Sequence, residues 1–378
     1  MLTIGLFTAA SVLSDSFVNI YLWRLKSDYI PIAVYLLSCY ATVPVIFYLC
    51  GYIGMRIDRV SLYITGIFFY VAFYSMVLLF KENITSQVIL WGFVKGLAMG
   101  FFYFGYHVLT FDFTGTHNRD RFYATTTIIS SSCAPLGLLA GFIIIRLKNF
   151  HGYYIIFACS AVLFLAAAWL SLSMRSTPIK KAYKIEDLIF TTDRRWLNSM
   201  LAFLFLSGKD TVSSFLIGIL VYKSTGSEMS IGLYSLLISS AVIATSSVMS
   251  RFSRPETREK YVLAGAFIAV TVALLLIWRI NFVTLLIFGL IGSIGDAFIR
   301  IPINAHTLDI ISLDANANER KMEYIVARDV PIAVGRIVMI VVFVMFLQYM
   351  PVNAIKAIIM VISAFPFGVY YFLYRNKG

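Results

Sequence analysis

The chain has 378 residues, of which 60% are hydrophobic and only 13% are charged, and its formal net charge is +12. Soluble domains average about 25% charged residues, so this composition excludes a water-soluble protein and indicates one that lies in a membrane. The positive charge does not indicate nucleic-acid binding, because the basic residues fall in short loops between apolar runs.

The apolar residues form twelve runs, each long enough to cross a hydrocarbon layer about 30 Å thick as an α-helix. The six predicted spans of the first half are Leu2–Trp23, Ile30–Met55, Leu62–Phe80, Val88–Phe111, Tyr123–Ile145 and Tyr153–Met174. The six of the second half are Asn198–Tyr222, Met229–Ser250, Tyr261–Trp278, Val283–Ile311, Ile325–Gln348 and Ala357–Tyr374. The longest polar gap separates the sixth span from the seventh. We therefore predict an all-α polytopic fold with two six-helix bundles, 1–174 and 198–378, joined by a cytoplasmic linker, 175–197.

The distribution of Lys and Arg predicts the orientation in the membrane. Basic residues are more frequent in the alternate loops that include 56–59, 175–195 and 251–260 than in the loops of the other face. Cytoplasmic loops carry an excess of Lys and Arg, so both termini are predicted to be cytoplasmic. Short loops and four cysteines without a pairing or metal-type spacing indicate a prokaryotic cell membrane and no metal site. A monomer is expected, because a fold of this kind carries its own translocation path.

The two halves show an internal repeat. The fourth span carries Gly92-x3-Gly96-x3-Gly100, and a shift of 197 residues (289 − 92) places this pattern on Gly289-x3-Ser293-x3-Ala297 of the tenth span. Small residues at every fourth position let helices approach closely. The repeat therefore predicts a duplicated six-helix unit, an architecture that recurs in transporters with a site near the middle of the membrane.

The loop after the second span reads Gly54-Met55-Arg56-Ile57-Asp58-Arg59. It resembles the Gly-x-x-x-Asp-Arg loop motif of the major facilitator superfamily, at the position where that family carries it. The resemblance implies the family's twelve-helix fold, and it implies that Gly54, Asp58 and Arg59 help to gate the cytoplasmic side. The usual trailing Gly-Arg-Lys is replaced by Val60-Ser61-Leu62. The alternative for Asp58 and Arg59 is an ordinary solvated loop pair.

Two further segments bear on transport. Ala134-Pro135-Leu136-Gly137, followed by Ala140-Gly141, partly resembles the family's Gly-Pro-x-x-Gly-Gly feature, which is associated with export by proton antiport. This match favours export, and a kinked, close-packed helix is the alternative. Arg328 and Asp329, near the inner end of the eleventh span, are predicted to bridge to a neighbouring loop as part of the closed gate.

Ionisable and amide side chains at membrane depth are the candidate site. A charge there costs at least about 2.5–3.5 kcal/mol, so such residues face a cavity or a partner. The candidates for substrate binding and ion coupling are Asp15, Asn19, Lys95, Lys209, Asp210, Asp296, Arg300, Asn304 and Arg336. All except Arg336 fall on spans one, four, seven and ten, which line the central cavity in the superfamily. As alternatives, Asp296 and Arg300 pair along one helix, and Lys95 extends outward along its stem.

These residues predict a secondary active transporter of a small organic solute, coupled to protons or another ion. Asp15, Asp210 or Asp296 would bind and release the proton, while Lys209, Arg300 and Arg336 would hold an anionic or zwitterionic group of the substrate. The sequence contains no phosphate-binding loop and no hydrolase motif, so neither an ATP-driven pump nor an enzyme is predicted, and no cofactor is expected. Two alternatives stay open: a flippase for lipids or lipid-linked sugars, and a non-transporting membrane sensor whose central charges pair on one another.

Overall fold

The computed structural model describes residues 2–113, 119–147, 150–174, 185–189, 191, 193–252, 255–314, 320–350 and 353–375. Within these ranges every regular element is a helix. Eleven continuous helical stretches are long and apolar enough to cross a membrane. One of them, Arg59–Thr110, contains two helices joined by the short 3-10 helix Lys81–Gln87, which brings the spans to twelve (11 + 1). The predicted all-α fold with twelve spans is confirmed.

The chain packs as two compact units. Unit 1 contains Met1–Ile185, Ser227–Leu236 and Asn318–Asp329, and unit 2 contains Glu186–Gly226, Leu237–Ala317 and Val330–Gly378. Ser227–Leu236 and Asn318–Asp329 therefore belong to unit 1, although they follow the predicted linker in the chain. Much of the predicted linker, 175–184, lies outside the described residues. The bundle boundaries at 174 and 198 stay a prediction.

Seven helices of unit 1 come from the first part of the chain. They are α1 (Leu2–Lys26), α2 (Ile30–Ile53), α3 (Arg59–Phe80), α4 (Val88–Phe113), α5 (Arg119–Ser132), α6 (Ala134–Arg146) and α7 (His151–Ser171). Helix α4 packs against α2 and α3, and α7 packs against α1 and α3. The small residues predicted on the fourth span permit the first of these contacts. A Cβ at Gly92 would lie 2.3 Å from the carbonyl oxygen of Tyr35, and one at Gly96 would lie 2.5 Å from Cβ of Thr42.

The remaining helices begin at Glu186 or later, and the first of them, α8, lies within the predicted linker. They are α8 (Glu186–Ile189), α9 (Arg194–Thr225), α10 (Glu228–Phe252), α11 (Arg258–Trp278), α12 (Phe282–Ser312), α13 (Lys321–Tyr349) and α14 (Ala354–Tyr370). In unit 2, α12 packs against α9 and α11, and α14 packs against the same two helices. Helix α9 begins before the predicted Asn198 because the side chain of Asp193 caps it, accepting a hydrogen bond of 2.9 Å from the backbone N–H of Arg195. It ends at Gly226, whose φ of +68° suits a glycine.

The fifth predicted span is not one unbroken helix. It consists of α5 and α6, which meet at Cys133. Pro135 has no backbone N–H and its ring displaces the preceding carbonyl, so the regular hydrogen-bond ladder is interrupted there. Helix α6 is also closely packed, because a Cβ at Gly141 would lie 2.6 Å from the carbonyl oxygen of Glu228 in the first turn of α10. The kinked, close-packed alternative for this segment therefore has direct structural support.

Candidate functional site

Unit 1 contains a cluster built on Asp15, at the middle of α1. The ammonium Nζ of Lys95, from α4, lies 2.6 Å from Oδ1 of Asp15. The hydroxyl of Tyr74, from α3, donates a second hydrogen bond of 2.6 Å to the same oxygen. The Lys95 side chain is only 9% exposed, whereas that of Asp15 is 40% exposed. The alternative in which Lys95 extends outward is therefore wrong, because its ammonium group is held inside the unit.

Three aromatic rings of α3 surround the Lys95 ammonium group. Its Nζ lies 4.4 Å from the ring centroid of Tyr70, 4.8 Å from that of Phe73 and 5.6 Å from that of Tyr74. These distances fall within the range of cation–π attraction, about 6 Å. The part played by Tyr70, Phe73 and Tyr74 was not predicted from the sequence. The available signal was their spacing of three and four positions, which places them on one face of a helix.

Asn19 lies one turn beyond Asp15 on α1, as the sequence predicts. Its side-chain oxygen is shielded from solvent and accepts no hydrogen bond from any described residue. A buried acceptor of this kind carries a desolvation cost unless another group satisfies it. Asn19 therefore has a free acceptor next to the Asp15 cluster.

Unit 2 contains two ion pairs between α9 and α12. Lys209 pairs with Asp296, and Asp210 pairs with Arg300, whose Nη2 lies 2.6 Å from Oδ1 of Asp210. Adjacent residues on a helix point about 100° apart, yet both α9 side chains reach partners because those partners lie one turn apart on α12. Among the described residues the salt bridges run across two helices, so Asp296 and Arg300 are bound to α9 and not to each other.

The other candidates of unit 2 lie beside these pairs. Asn304 is exposed, and its side-chain amide donates a hydrogen bond of 2.8 Å to the backbone carbonyl of Arg300. Arg336 is half-buried on α13. The site roles of Asn304 and Arg336 stay predictions.

The loop motif after α2 is ordered by its own side chains. The backbone N–H of Gly54 donates to the carbonyl of Cys50 at the end of α2, over 2.7 Å. Asp58 caps α3 by accepting a hydrogen bond of 3.0 Å from the N–H of Val60. Arg59 is only 1% exposed. The solvated-loop alternative is therefore wrong for Arg59, whose burial in a loop motif requires partners within the protein.

One cluster was missed by the sequence analysis. Arg24, in the last turn of α1, has Nη1 2.8 Å from Oε1 of Glu228. The hydroxyl of Tyr153 donates a hydrogen bond of 3.0 Å to the same oxygen, and the Arg24 guanidinium lies over the ring of Phe150 at 5.2 Å. All four residues belong to unit 1. No pattern in the sequence indicates this contact, because Arg24 and Glu228 are 204 positions apart.

Paired charges at membrane depth in a polytopic helical protein are typical of membrane transporters. Comparison with known sequences makes this specific. The family model described as the Major Facilitator Superfamily matches residues 4–318, and the chain belongs to this superfamily. It is therefore a multi-pass membrane protein of a transporter family whose members bind small-molecule substrates within the membrane.

Two bacterial relatives are similar in sequence. The chain is 34% identical over 347 residues to the uncharacterized protein YqgE of Bacillus subtilis (strain 168), covering 91% of this chain and 81% of that protein. It is 33% identical over 178 residues to an uncharacterized protein in the sodM 3' region of Geobacillus stearothermophilus, covering 44% of this chain and 83% of that protein.

Solved structures share the fold at low sequence identity. The human organic anion transporter MFSD10 superposes with a TM-score of 0.72 at 12% identity, covering 98% of both chains. The transporter FucP in its outward conformation gives a TM-score of 0.69 at 13% identity, covering 100% of this chain and 97% of that one. A bacterial homologue of the iron transporter ferroportin also gives 0.69 at 13% identity, covering 99% and 97%. These matches agree with a secondary transporter fold.

Proposed function

We propose that this protein is a proton-coupled secondary transporter that moves a small organic solute across a prokaryotic cell membrane by alternating access. We propose further that it acts as a monomer with both termini in the cytoplasm. The observation that carries the proposal is that three carboxylates at membrane depth, those of Asp15, Asp210 and Asp296, each bind a lysine or arginine of another helix.

Paired carboxylates suit proton coupling for a physical reason. A carboxylate away from water prefers its neutral form, and a nearby lysine or arginine opposes this preference. Protonation of the carboxylate therefore frees the cation, and loss of the proton binds it again. A freed Lys209 or Arg300, together with Arg336, would attract an anionic or zwitterionic group of the substrate, as charge-assisted hydrogen bonds to such groups are strong.

We assign the gate to the loop motif and to the start of α13. Gly54, Asp58 and Arg59 share unit 1 with Arg328 and Asp329. The burial of Arg59 and the capping of α3 by Asp58 support a gate with a fixed geometry. For the direction of transport we propose export, because Ala134-Pro135-Leu136-Gly137 and Ala140-Gly141 partly match the family's antiport feature.

Proteoliposomes that contain a pH-sensitive dye test the proposal. A proton gradient is imposed, and pooled organic solutes are screened for flux that depends on it. We expect one pool to move protons with the wild type, and coupling to be lost when the essential carboxylate is changed in Asp15→Asn, Asp210→Asn or Asp296→Asn. Glu82→Gln is the matched control, because Glu82 is exposed in the connection before α4. Intact coupling in all three aspartate variants would refute the carboxylate mechanism.

One observation favours a second candidate, the non-transporting sensor. The charges of Asp15, Lys95, Lys209, Asp210, Asp296 and Arg300 are mutually paired, each within its own unit. A sensor predicts that no pool moves in the same liposomes, with or without a gradient. Transfer of a fluorescent lipid between leaflets, without flux of any water-soluble pool, would instead indicate a flippase.

A further inference from the structure

The three paired carboxylates are not equivalent, because among the described residues Lys95 is the one of the three cations that lies within cation–π range of aromatic rings. We propose that Asp15 carries the coupled proton, and that Tyr70, Phe73 and Tyr74 hold the Lys95 ammonium group while Asp15 is neutral. This inference rests on the proposed proton coupling and assigns its site. It also gives these three aromatic residues of α3 a positioning role in transport.

The physical difficulty in protonating such a carboxylate is the cation left behind. Removing one charge of a buried ion pair leaves the other without compensation, which is strongly unfavourable. Lys95 would still have attractive partners, since the ring centroids of Tyr70 and Phe73 lie 4.4 Å and 4.8 Å from its Nζ. The proton binds a carboxylate oxygen of Asp15, Lys95 keeps its own proton, and the charge of the pair changes from zero to +1. The negative faces of the rings stabilise that extra charge.

Asp15 is also accessible to a proton. Both hydrogen bonds that its carboxylate accepts, from Lys95 and from Tyr74, end on Oδ1, so Oδ2 is left without a partner among the described residues. The side chain of Asp15 is far more exposed than that of Lys95. The carboxylate can therefore exchange a proton while the ammonium group stays buried.

The cations of unit 2 lack this arrangement. Among the described residues, no aromatic ring lies within cation–π range of Lys209 or Arg300. Asp296 binds Lys209 and lies one turn from Arg300 on α12. Protonation of Asp296 would leave the buried Lys209 ammonium group without its partner, whereas protonation of Asp210 would leave a half-exposed Arg300 that keeps Asp296 one turn away. The Lys209–Asp296 pair is therefore better suited to remain ionised during proton binding at Asp15.

The surroundings of Asp15 contain few other groups that titrate. Lys95 from α4, Tyr74 and Tyr70 from α3 and Tyr35 from α2 are close enough to interact with it. Arg146 of α6 and His151, Tyr153 and Tyr154 of α7 lie at or near an end of their helices, away from the middle of α1. Cys159 of α7 lies on an exposed face. The titratable residues of α5 fall in 119–123, and their side chains lie outside the described residues.

Infrared difference spectroscopy of the reconstituted protein tests the assignment without a known substrate. The carbonyl stretch of protonated carboxyl groups is followed as the bathing buffer is titrated from alkaline to acidic pH. We expect a titrating band that is lost in Asp15→Asn and retained in Asp296→Asn and in Asp210→Asn. Loss of the band in either unit 2 variant, with retention in Asp15→Asn, would overturn the assignment.

Two aromatic variants distinguish positioning from packing. Tyr74→Phe keeps the ring and removes the hydroxyl that stabilises ionised Asp15, so the band should titrate about one pH unit higher, a tenfold gain in proton affinity. Tyr70→Leu removes a ring from Lys95, so the band should titrate about one pH unit lower. Phe215→Leu, a buried ring in unit 2 packed against Phe343, is the control and should leave the midpoint unchanged.

Shifts of the same sign in both aromatic variants, or an equal shift in the control, would overturn the proposed role of the rings. A band that belongs to Asp296 would overturn the assignment but leave proton coupling intact in the liposome assay. Gradient-independent flux in that assay would refute the proposed coupling itself, whichever carboxylate gives the band. The two failures are therefore distinguishable.

Discussion

Replacing Asp296 by Asn should destabilise the protein more than removing the ammonium group that it binds. The Lys209 side chain is only 11% exposed, so Asp296→Asn leaves a buried cation without its partner. Breaking a buried ion pair in this way costs about 3–5 kcal/mol. Because the Asp296 side chain is 37% exposed and Asn stays polar, we expect a cost at or below the lower end of that range, about 2–3 kcal/mol.

The opposite change is predicted to be milder. Lys209→Met leaves a carboxylate that is partly exposed and has Arg300 one turn away on α12, so we expect a cost of about 1 kcal/mol. The double variant Lys209→Met/Asp296→Asn leaves no buried charge from this pair. It should therefore be more stable than Asp296→Asn alone, with a coupling of about 2 kcal/mol between the two sites.

Thermal unfolding in one detergent, followed by tryptophan fluorescence, measures these differences. For a large chain, each kcal/mol lost from the free energy of unfolding lowers the midpoint of thermal unfolding by about 2 °C. Asp296→Asn should therefore lower the midpoint by about 4–6 °C. All variants must be compared at one heating rate, because membrane proteins of this size commonly unfold irreversibly. Equal costs for the two single variants, or a double variant whose costs simply add, would refute the reasoning.

Three further predictions follow from the described contacts. Asp210→Asn should cost only about 1 kcal/mol in the same thermal assay, because the Arg300 that it releases is half-exposed; a loss as large as that of the neighbouring pair would contradict this. Gly96→Val should abolish stable folding, measured as monodisperse yield from the membrane, since its Cβ would meet neighbouring atoms at 2.5 Å and 2.6 Å. Gly137→Ala is the control, with its nearest neighbour at 3.8 Å, and similar yields from both variants would show that α4 is not closely packed there. Glu228→Gln should lower stability by about 1–2 kcal/mol, because it weakens hydrogen bonds from both a guanidinium group and a phenol hydroxyl; an unchanged melting midpoint would argue against that cluster.

The sequence was informative about the site at the level of single helices. It placed Asp15, Lys95, Asp210 and Asp296 at membrane depth, because a charge within an apolar run is visible without any structure. It did not identify their partners. On the sequence alone, Lys95 can extend outward and Asp296 can pair on its own helix, since helical spacing shows which residues share a face but not what that face meets.

What the sequence determined by itself is the number and class of the helices and the family. Apolar runs of about 20 residues can satisfy their backbone in a membrane only as helices, so hydropathy alone fixes the spans. Only the tertiary structure decided that Lys95 lies among the rings of α3, and that the charges of α9 pair with those of α12. It also joined Arg24 to Glu228, although they are 204 positions apart. Such contacts depend on how side chains from separate helices meet in space, and local pattern carries no information about that.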